Sequence, residues 1–270
     1  AGKLSGNHIR FPKVSVGATE NAVLAAVCAK GTTTLCGCAR EPEVQWLCRL
    51  LRRMGASIEG EDSGCILIQG KKKLHGTVFR VPPDRIAAGT WLLAGAATRS
   101  VLELDGVLPE EMDAVLKVYR KMGGQYRVTG DKLFTDSTRV TDGVSYVETA
   151  GYPGFPTDLQ SPLLAAAATL NGKTLVRETV FEDRFAAVRQ LMRMGAKAEI
   201  CGSVIGMEKS QLRGTRVTAC DLRGGAALVI AALAAGGSTE VEQVQYIERG
   251  YERLPKQLEQ LGARICVTEE

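Results

Sequence analysis

A short motif, a bulky apolar residue followed by Gly and a second small residue, occurs four times in this chain of 270 residues. Its copies lie about 70 residues apart, and self-similarity at a fixed period is the signature of a fold built from repeated units. The copies are Met54-Gly55-Ala56, Met122-Gly123-Gly124, Met194-Gly195-Ala196 and Leu261-Gly262-Ala263. Each follows a helix-like run rich in Leu, Arg and Lys, so its glycine is expected to take the left-handed conformation that ends a helix.

Hydrophobic periodicity between the motifs predicts one unit repeated four times, in the order strand, helix, strand, helix, strand, strand. In the first copy the predicted helices span residues 20–29 and 42–54, and the predicted strands lie at 8–11, 33–35, 57–59 and 65–68. In the fourth copy the predicted helices span 225–235 and 250–261. The alanine-rich first helices are apolar nearly all round and should be buried. The sequence therefore predicts an α/β fold with helices inside and sheets outside.

The composition is typical of a globular protein and argues against several kinds of partner. Hydrophobic residues make up 45% of the chain and charged residues 24%, and the formal net charge is only +4. Neither nucleic acid nor a membrane is an expected partner, because the charges are mixed and no apolar run is long enough to cross a bilayer. The polar start of the sequence does not resemble a signal peptide. Eight cysteines with only two histidines indicate reduced thiols in a cytoplasmic protein, and no metal site.

Restrained or charged residues gather in the loops that precede the predicted helices. Before the first helix of each copy stand Ser15-Val16-Gly17-Ala18-Thr19, Pro82-Pro83-Asp84-Arg85, the segment 153–158 and Asp221-Leu222-Arg223; before the second stand Arg40-Glu41-Pro42, Pro109-Glu110, Asp183-Arg184 and Arg249-Gly250-Tyr251. Helix N-termini attract anions, and the arginine fork suits carboxylate and phosphate. If the units pack side by side, these loops form an anion-binding site. The alternative is that each Asp and Arg is a helix cap or part of a surface ion pair.

One of these loops is stiffer than a surface turn requires. The stretch YPGFPTDLQ at 152–160 places two prolines and one glycine around a single carboxylate, Asp158. Such restraint indicates a carboxylate whose position matters. The alternative is that Asp158 only caps the helix that follows.

Seven segments carry a family resemblance. They are KVSVGATENAVLAA (13–26), AREPE (39–43), PDRIAAGT (83–90), YPGFPTDLQ (152–160), ETVFEDRF (178–185), DLRGGAALV (221–229) and ERGYERL (248–254). Together they resemble the enolpyruvyl transferases, and among these the branch that acts on UDP-N-acetylglucosamine. The resemblance implies repeated β-α-β-α-β-β units in an inside-out α/β barrel, with four of the family's six units present. It also implies two domains, with residues 1–82 as the incomplete last unit of the first, nucleotide-sugar-side domain and 83–270 as most of the second.

The resemblance implies transfer of an enolpyruvyl group from phosphoenolpyruvate to the 3-hydroxyl of UDP-N-acetylglucosamine, with release of phosphate, in peptidoglycan precursor synthesis. It implies catalytic roles for Asp158, which meets the sugar hydroxyl, and for Arg249 and Asp221. A loop with few conformers suits a carboxylate that must stay within reach of one hydroxyl. The implied substrate-binding residues are Lys13, Val14, Ser15, Val16 and Gly17 at the diphosphate, Val180 through its main chain at the sugar, and Asp158, Arg184, Arg223 and Arg249 in the cleft. No metal and no organic cofactor is implied.

The family also has parts that have no counterpart among these 270 residues: an amino-terminal stretch with a Lys-Asn pair, and a mobile loop with a catalytic cysteine. No cysteine here is assigned as the general acid. Tyr246 and Glu248 stand where relatives commonly have His and Asp. The chain is therefore expected to lack the amino-terminal catalytic half and to be inactive alone.

Exposed apolar faces within residues 1–81 predict self-association, or pairing with a complementary amino-terminal fragment. Two alternative functions stay open. One is a catalytically silent nucleotide-sugar-binding fragment or paralogue, and the other is a shikimate 3-phosphate enolpyruvyl transferase.

Overall fold

The structure is a computed structural model that describes residues 4–268. The chain divides into two compact units. The first comprises the residues up to Pro82 together with Gly151–Pro153, and the second comprises the remainder. That these units correspond to an incomplete first domain and most of a second domain stays a prediction.

The first unit has the predicted order of elements. They are β1 (His8–Arg10), α1 (Val16–Ala26), β2 (Thr32–Cys36), α2 (Pro42–Arg53), β3 (Ser57–Glu59) and β4 (Cys65–Gln69). The strands form one sheet in the order β1-β2-β4-β3, in which β1 and β2 are parallel and the other pairs antiparallel. Alternate residues of β2 and β4, such as Leu35 and Ile66, are buried against Val23 of α1 and Val44 of α2.

The second unit holds the remaining elements in three sheets. Its helices are α3 (Arg85–Thr98), α4 (Asp113–Lys121), α5 (Gln160–Ala167), α6 (Ala186–Arg193), α7 (Leu222–Ala234), α8 (Gln245–Glu248) and α9 (Leu254–Gln260), with short 3-10 turns at Pro109–Glu111 and Thr157–Leu159. Its strands are β5 (Val101–Asp105), β6 (Gln125–Thr129), β7 (Lys132–Asp136), β8 (Tyr146–Glu148), β9 (Lys173–Arg177), β10 (Lys197–Cys201), β11 (Val204–Glu208), β12 (Arg216–Thr218) and β13 (Glu240–Glu242). The sheet orders are β5-β7-β6, β10-β11-β9-β8 and β12-β13.

Three alanine-rich helices, α3, α5 and α7, pack against one another inside the second unit. Every residue of α5 is buried, as its alanine-rich stretch predicts, and the burial includes the polar Gln160 and Ser161 at its start. Small residues allow the close approach: a Cβ at Gly89 of α3 would stand 2.4 Å from a methyl carbon of Leu159. The amino-terminal ends of these three helices therefore come from separate parts of the sequence but lie in one packed layer.

The glycine of each repeated motif has the predicted left-handed backbone. Gly55, Gly123, Gly195 and Gly262 have φ angles of 97°, 93°, 93° and 93°. Only glycine adopts such angles without strain, so the four motifs mark four true helix ends.

The prediction of four complete units is wrong in two copies. The second copy has no strand before α3 within residues 77–84, where Pro82 and Pro83 cannot donate hydrogen bonds to a sheet. The fourth copy has no strand in residues 263–268, and its β12 and β13 form a sheet of two strands only.

The helix predicted at 250–261 is present as α9, which lies within this range but begins only at Leu254. It begins after Arg253, whose φ is 50°, and Pro255 occupies its first turn, where proline is tolerated. Helices α1 and α7 begin earlier than predicted, since Ser15 and Asp221 cap them. No helix within residues 4–268 combines the length and hydropathy that a membrane-spanning segment needs.

Candidate functional site

The stiff loop of the second unit presents Asp158 in the 3-10 turn Thr157–Leu159, directly before α5. Backbone contacts fix the entry to this turn: the N–H of Ala150 donates to the carbonyl of Phe155 at 2.9 Å, and the Phe155 side chain is buried. Leu159 on the far side is fully buried. Asp158 is thus held between two residues anchored in the core.

Two guanidinium groups hold the Asp158 carboxylate. Nη1 of Arg184 donates to Oδ1 at 2.9 Å, and Nε of Arg223 donates to Oδ2 at 3.2 Å. Both arginine side chains are largely buried, whereas 37% of the Asp158 side chain is exposed. Burial by itself would raise the pKa of Asp158, but the charges and hydrogen bonds of the two arginines outweigh it and lower the pKa below its ordinary value. The carboxylate is therefore ionised and still has one accessible side.

A buried tyrosine supports Arg223 from behind. Nη1 of Arg223 donates to the Tyr251 hydroxyl at 3.1 Å, and that hydroxyl lies 2.8 Å from the Thr90 hydroxyl of α3. The guanidinium carbon stands 5.4 Å from the centre of the Tyr251 ring, within the range of a cation–π contact. Arg223, in the first turn of α7, is consequently held in place by Tyr251 in the turn after α8, which in turn contacts α3.

A second carboxylate, Glu178, lies beside the Asp158 turn at the end of β9 and is only 2% exposed. It accepts hydrogen bonds from the hydroxyl of Thr157, the residue before Asp158, and from the backbone N–H of Val180. From the sequence alone this residue has no assigned role, although it opens the segment ETVFEDRF. Its position shows only in the fold, because no local pattern marks a buried carboxylate.

The first unit presents the predicted diphosphate loop at the start of α1. Lys13, Val14, Ser15 and Gly17 are exposed, and Val16 is half-buried. The Ser15 hydroxyl accepts a hydrogen bond from the N–H of Ala18 at 3.3 Å and so caps α1. A Cβ at Gly17 would meet no atom within 4 Å, so the backbone there is open to close approach.

Comparison with known proteins decides the family. Residues 1–258 match the family model described as EPSP synthase (3-phosphoshikimate 1-carboxyvinyltransferase). The chain belongs to this family. Within the EPSP synthase family, curated relatives named UDP-N-acetylglucosamine 1-carboxyvinyltransferase are 43% identical in Paramagnetospirillum magneticum, over 98% of this chain and 61% of the relative, and 44% identical in Novosphingobium aromaticivorans, over 98% and 62%.

Solved structures of the same family have the same fold. The enolpyruvyl transferase NikO from Streptomyces tendae matches with a TM-score of 0.88 at 28% identity, over 98% of this chain and 65% of that one. EPSP synthase from Acinetobacter baumannii matches with a TM-score of 0.72 at 19% identity, over 99% and 64%, which shows the fold alone. The predicted enolpyruvyl transferase resemblance is confirmed.

The chain spans less than two thirds of the length of these relatives. The matches cover nearly all of this chain, and they do not support the prediction that an amino-terminal catalytic half is missing. The number of repeat units and the inside-out barrel likewise stay predictions.

The fold of this family member brings together only some of the predicted site residues. Asp158, Arg184 and Arg223 form one hydrogen-bonded cluster in the second unit. Asp221 lies outside it, because its carboxylate accepts hydrogen bonds from the N–H groups of Arg223 and Gly224 and caps α7.

Two further predicted residues of the second unit stand apart from this cluster. Arg249 is exposed at the end of α8. Val180 has a side chain that is 45% exposed, while its N–H points to Glu178. The roles assigned to Asp221, Arg249 and Val180 stay predictions.

Proposed function

We propose that this chain takes part in the transfer of an enolpyruvyl group from phosphoenolpyruvate to the 3-hydroxyl of UDP-N-acetylglucosamine, with release of phosphate. The observation that carries the proposal is the partly exposed Asp158 carboxylate held by Arg184 and Arg223 in a member of this family. The names of the relatives at 43–44% identity support the choice of nucleotide sugar. A role in peptidoglycan precursor synthesis follows from that substrate.

In the proposed reaction the sugar hydroxyl loses its proton as its oxygen bonds to C2 of phosphoenolpyruvate, and C3 gains a proton. The bond between C2 and the phosphate oxygen then breaks as C3 loses a proton, which releases phosphate and restores the C2–C3 double bond. Asp158 would accept a hydrogen bond from the sugar hydroxyl and orient it. Its lowered pKa makes it a weak general base in the free protein, which favours orientation over full proton abstraction. Arg184 and Arg223 keep the carboxylate ionised and contribute positive charge near an anionic substrate.

The finer architecture belongs to the same proposal. Residues 13–17 would hold the diphosphate of the nucleotide through the start of α1, as exposed N–H groups at a helix start favour anions. We assign residues 1–82 to the last unit of the nucleotide-sugar-side domain and 83–270 to most of the second domain of an inside-out barrel with four of six units.

Ligand binding to the 270-residue chain tests the substrate. By titration calorimetry we expect UDP-N-acetylglucosamine to bind the wild-type chain, and Asp158→Asn to weaken the affinity about 10-fold, the worth of one lost charge-assisted hydrogen bond. Asp131→Asn, which removes the same charge from the exposed turn between β6 and β7, should leave affinity unchanged. Binding of shikimate 3-phosphate in place of the nucleotide sugar would support the alternative enzyme, and binding of neither would refute the proposal.

A phosphate-release assay separates binding from turnover. The segments that carry the resemblance do not include the loop with the catalytic cysteine, so we propose that the chain alone binds the nucleotide sugar with negligible turnover. Sedimentation tests the proposed partner, since a self-associating chain, or one that pairs with an amino-terminal fragment, sediments faster than its monomer. Robust phosphate release from both substrates by the chain alone contradicts the first part, and a monomer at all concentrations with and without such a fragment contradicts the second.

A further inference from the structure

The buried carboxylate of Glu178 is the most heavily hydrogen-bonded acidic group near the Asp158 turn. Oε1 accepts from the Thr149 hydroxyl at 2.9 Å and from the N–H groups of Val180 and Phe181 at 2.8 and 3.2 Å. Oε2 accepts from the Thr157 hydroxyl at 2.9 Å. A buried carboxylate is tolerated when donors surround it, and these four donors satisfy that condition.

The chemistry of the donors fixes the direction of the network. Nη1 of Arg184 lies 3.0 Å from the Thr157 hydroxyl oxygen, and a guanidinium group can only donate. Thr157 must therefore accept from Arg184, which leaves its own proton directed at Glu178. The same Nη1 donates to Asp158 at 2.9 Å. One chain of hydrogen bonds thus runs from Glu178 through Thr157 and Arg184 to Asp158.

Glu178 also joins two segments that are separate in sequence. One is the turn that presents Asp158, and the other is the backbone of residues 180 and 181. The second segment lies next to Arg184, whose guanidinium carbon is 5.1 Å from the centre of the Phe181 ring. A carboxylate that only stabilised the fold would not need to link these two segments in particular.

We propose that Glu178 is a positioning residue for the Asp158 site. It holds Thr157 so that Arg184 and Asp158 meet at hydrogen-bonding distance. It also fixes the position of the Val180 backbone relative to the Asp158 turn. This inference deepens the proposed function, on which it rests, by naming the group that orders the turn where the sugar hydroxyl is expected.

The decisive variants are Glu178→Gln and Thr157→Val. A glutamine keeps the size of Glu178 but replaces one acceptor oxygen by an N–H₂ group that can only donate, so at least one of the four donors loses its partner. Thr157→Val removes only the link between Glu178 and Arg184. Thr149→Val removes a donor on the other oxygen and leaves the link to Thr157 intact.

Two readouts distinguish positioning from plain stability. We expect carboxyl-carbon NMR titration to show a higher pKa of Asp158 in Thr157→Val than in the wild-type chain, because Arg184 is less well placed. Glu178→Gln also removes a neighbouring acidic group, so it is compared with Thr157→Val through its affinity. We expect the dissociation constant for UDP-N-acetylglucosamine to rise about 10-fold in both. Thr149→Val should change both readouts less.

Thr135→Val is the matched control, since it removes a buried hydroxyl from β7 that donates to the carbonyl of Leu102, away from the site. It should lower the melting temperature without changing the pKa of Asp158. The NMR readout needs no ligand, so it tests Glu178 even if the wild-type chain fails to bind the nucleotide sugar. An unchanged pKa of Asp158 in Thr157→Val would overturn the inference, whether or not Glu178→Gln folds.

Discussion

Three aspartates occupy the same place in the repeat, at the start of the inner helices α3, α5 and α7, but they do different things. Asp84 accepts hydrogen bonds from the N–H groups of Ile86 and Ala87 at 2.7 and 3.0 Å, and Asp221 caps α7 in the same manner. Asp158 does not cap α5, because it lies within the 3-10 turn Thr157–Leu159 and its carboxylate accepts hydrogen bonds from two arginines. The oxygen of a capping carboxylate is occupied by the N–H groups of its own helix. A carboxylate that is held by side chains and partly exposed can still accept a hydrogen bond from a ligand.

Removing Asp158 should have the largest effect on stability. In Asp158→Ala two largely buried guanidinium groups lose their shared partner. We expect a loss of about 2 kcal/mol in the free energy of unfolding, reduced from the value for a fully buried pair because the carboxylate is partly exposed. Urea unfolding measures this loss. A smaller loss than in Asp84→Ala would show that the comparison is wrong.

Removing a capping aspartate should cost less. Asp84→Ala and Asp221→Ala each leave two N–H groups of a helix start without their acceptor, so we expect a loss of about 1 kcal/mol in each. The affinity for UDP-N-acetylglucosamine should also be measured in both variants. Asp84→Ala shows how far the loss of a helix cap by itself changes this affinity. If Asp221→Ala weakens binding far more than Asp84→Ala, Asp221 has the predicted catalytic or binding role in addition to its cap.

Among the capping residues, removal of Ser15 should cause the smallest loss of stability. Its hydrogen bond to Ala18 is long, at 3.3 Å, and exposed, so Ser15→Ala should lose about 0.5 kcal/mol in stability. If residues 13–17 bind diphosphate, Ser15→Ala should also weaken the affinity for the nucleotide sugar, whereas loss of a helix cap alone should leave that affinity unchanged. Equal affinity in Ser15→Ala and wild type, measured by calorimetry, would argue that Ser15 resembles the capping Asp84.

The pH dependence of unfolding gives the smallest expected signal. Because the pKa of Asp158 is lower in the folded chain, its stabilising contribution is present above the ordinary pKa of an aspartate, about 3.9, and is lost as pH falls through the folded pKa. The stability difference between wild type and Asp158→Asn should therefore shrink in acid. A difference that stays constant from neutral pH to pH about 3 contradicts the paired state of Asp158.

Local features were predictable from the sequence. The strand Ser57–Glu59 and the four left-handed glycines follow from patterns a few residues long, where steric limits on the backbone act directly. The helix predicted at 250–261 begins only at Leu254, a later start that Pro255 in its first turn already indicated in the sequence. The strand expected before α3 was already disfavoured by Pro82 and Pro83, which are visible in the sequence. The missing strand of the fourth copy could not be predicted, because a strand exists only when another strand pairs with it.

By itself the sequence determined the repeat, the glycine helix ends and the presence of an aspartate before each inner helix of the second unit, since all of these depend on neighbours along the chain. Only the tertiary structure decided which aspartate is available to a ligand. Arg184 and Arg223 stand 26 and 65 residues from Asp158, and Glu178 reaches Thr157 across 21 residues. Such partners meet because α5 and α7 pack side by side and β9 ends beside the Asp158 turn, and no local pattern encodes that packing.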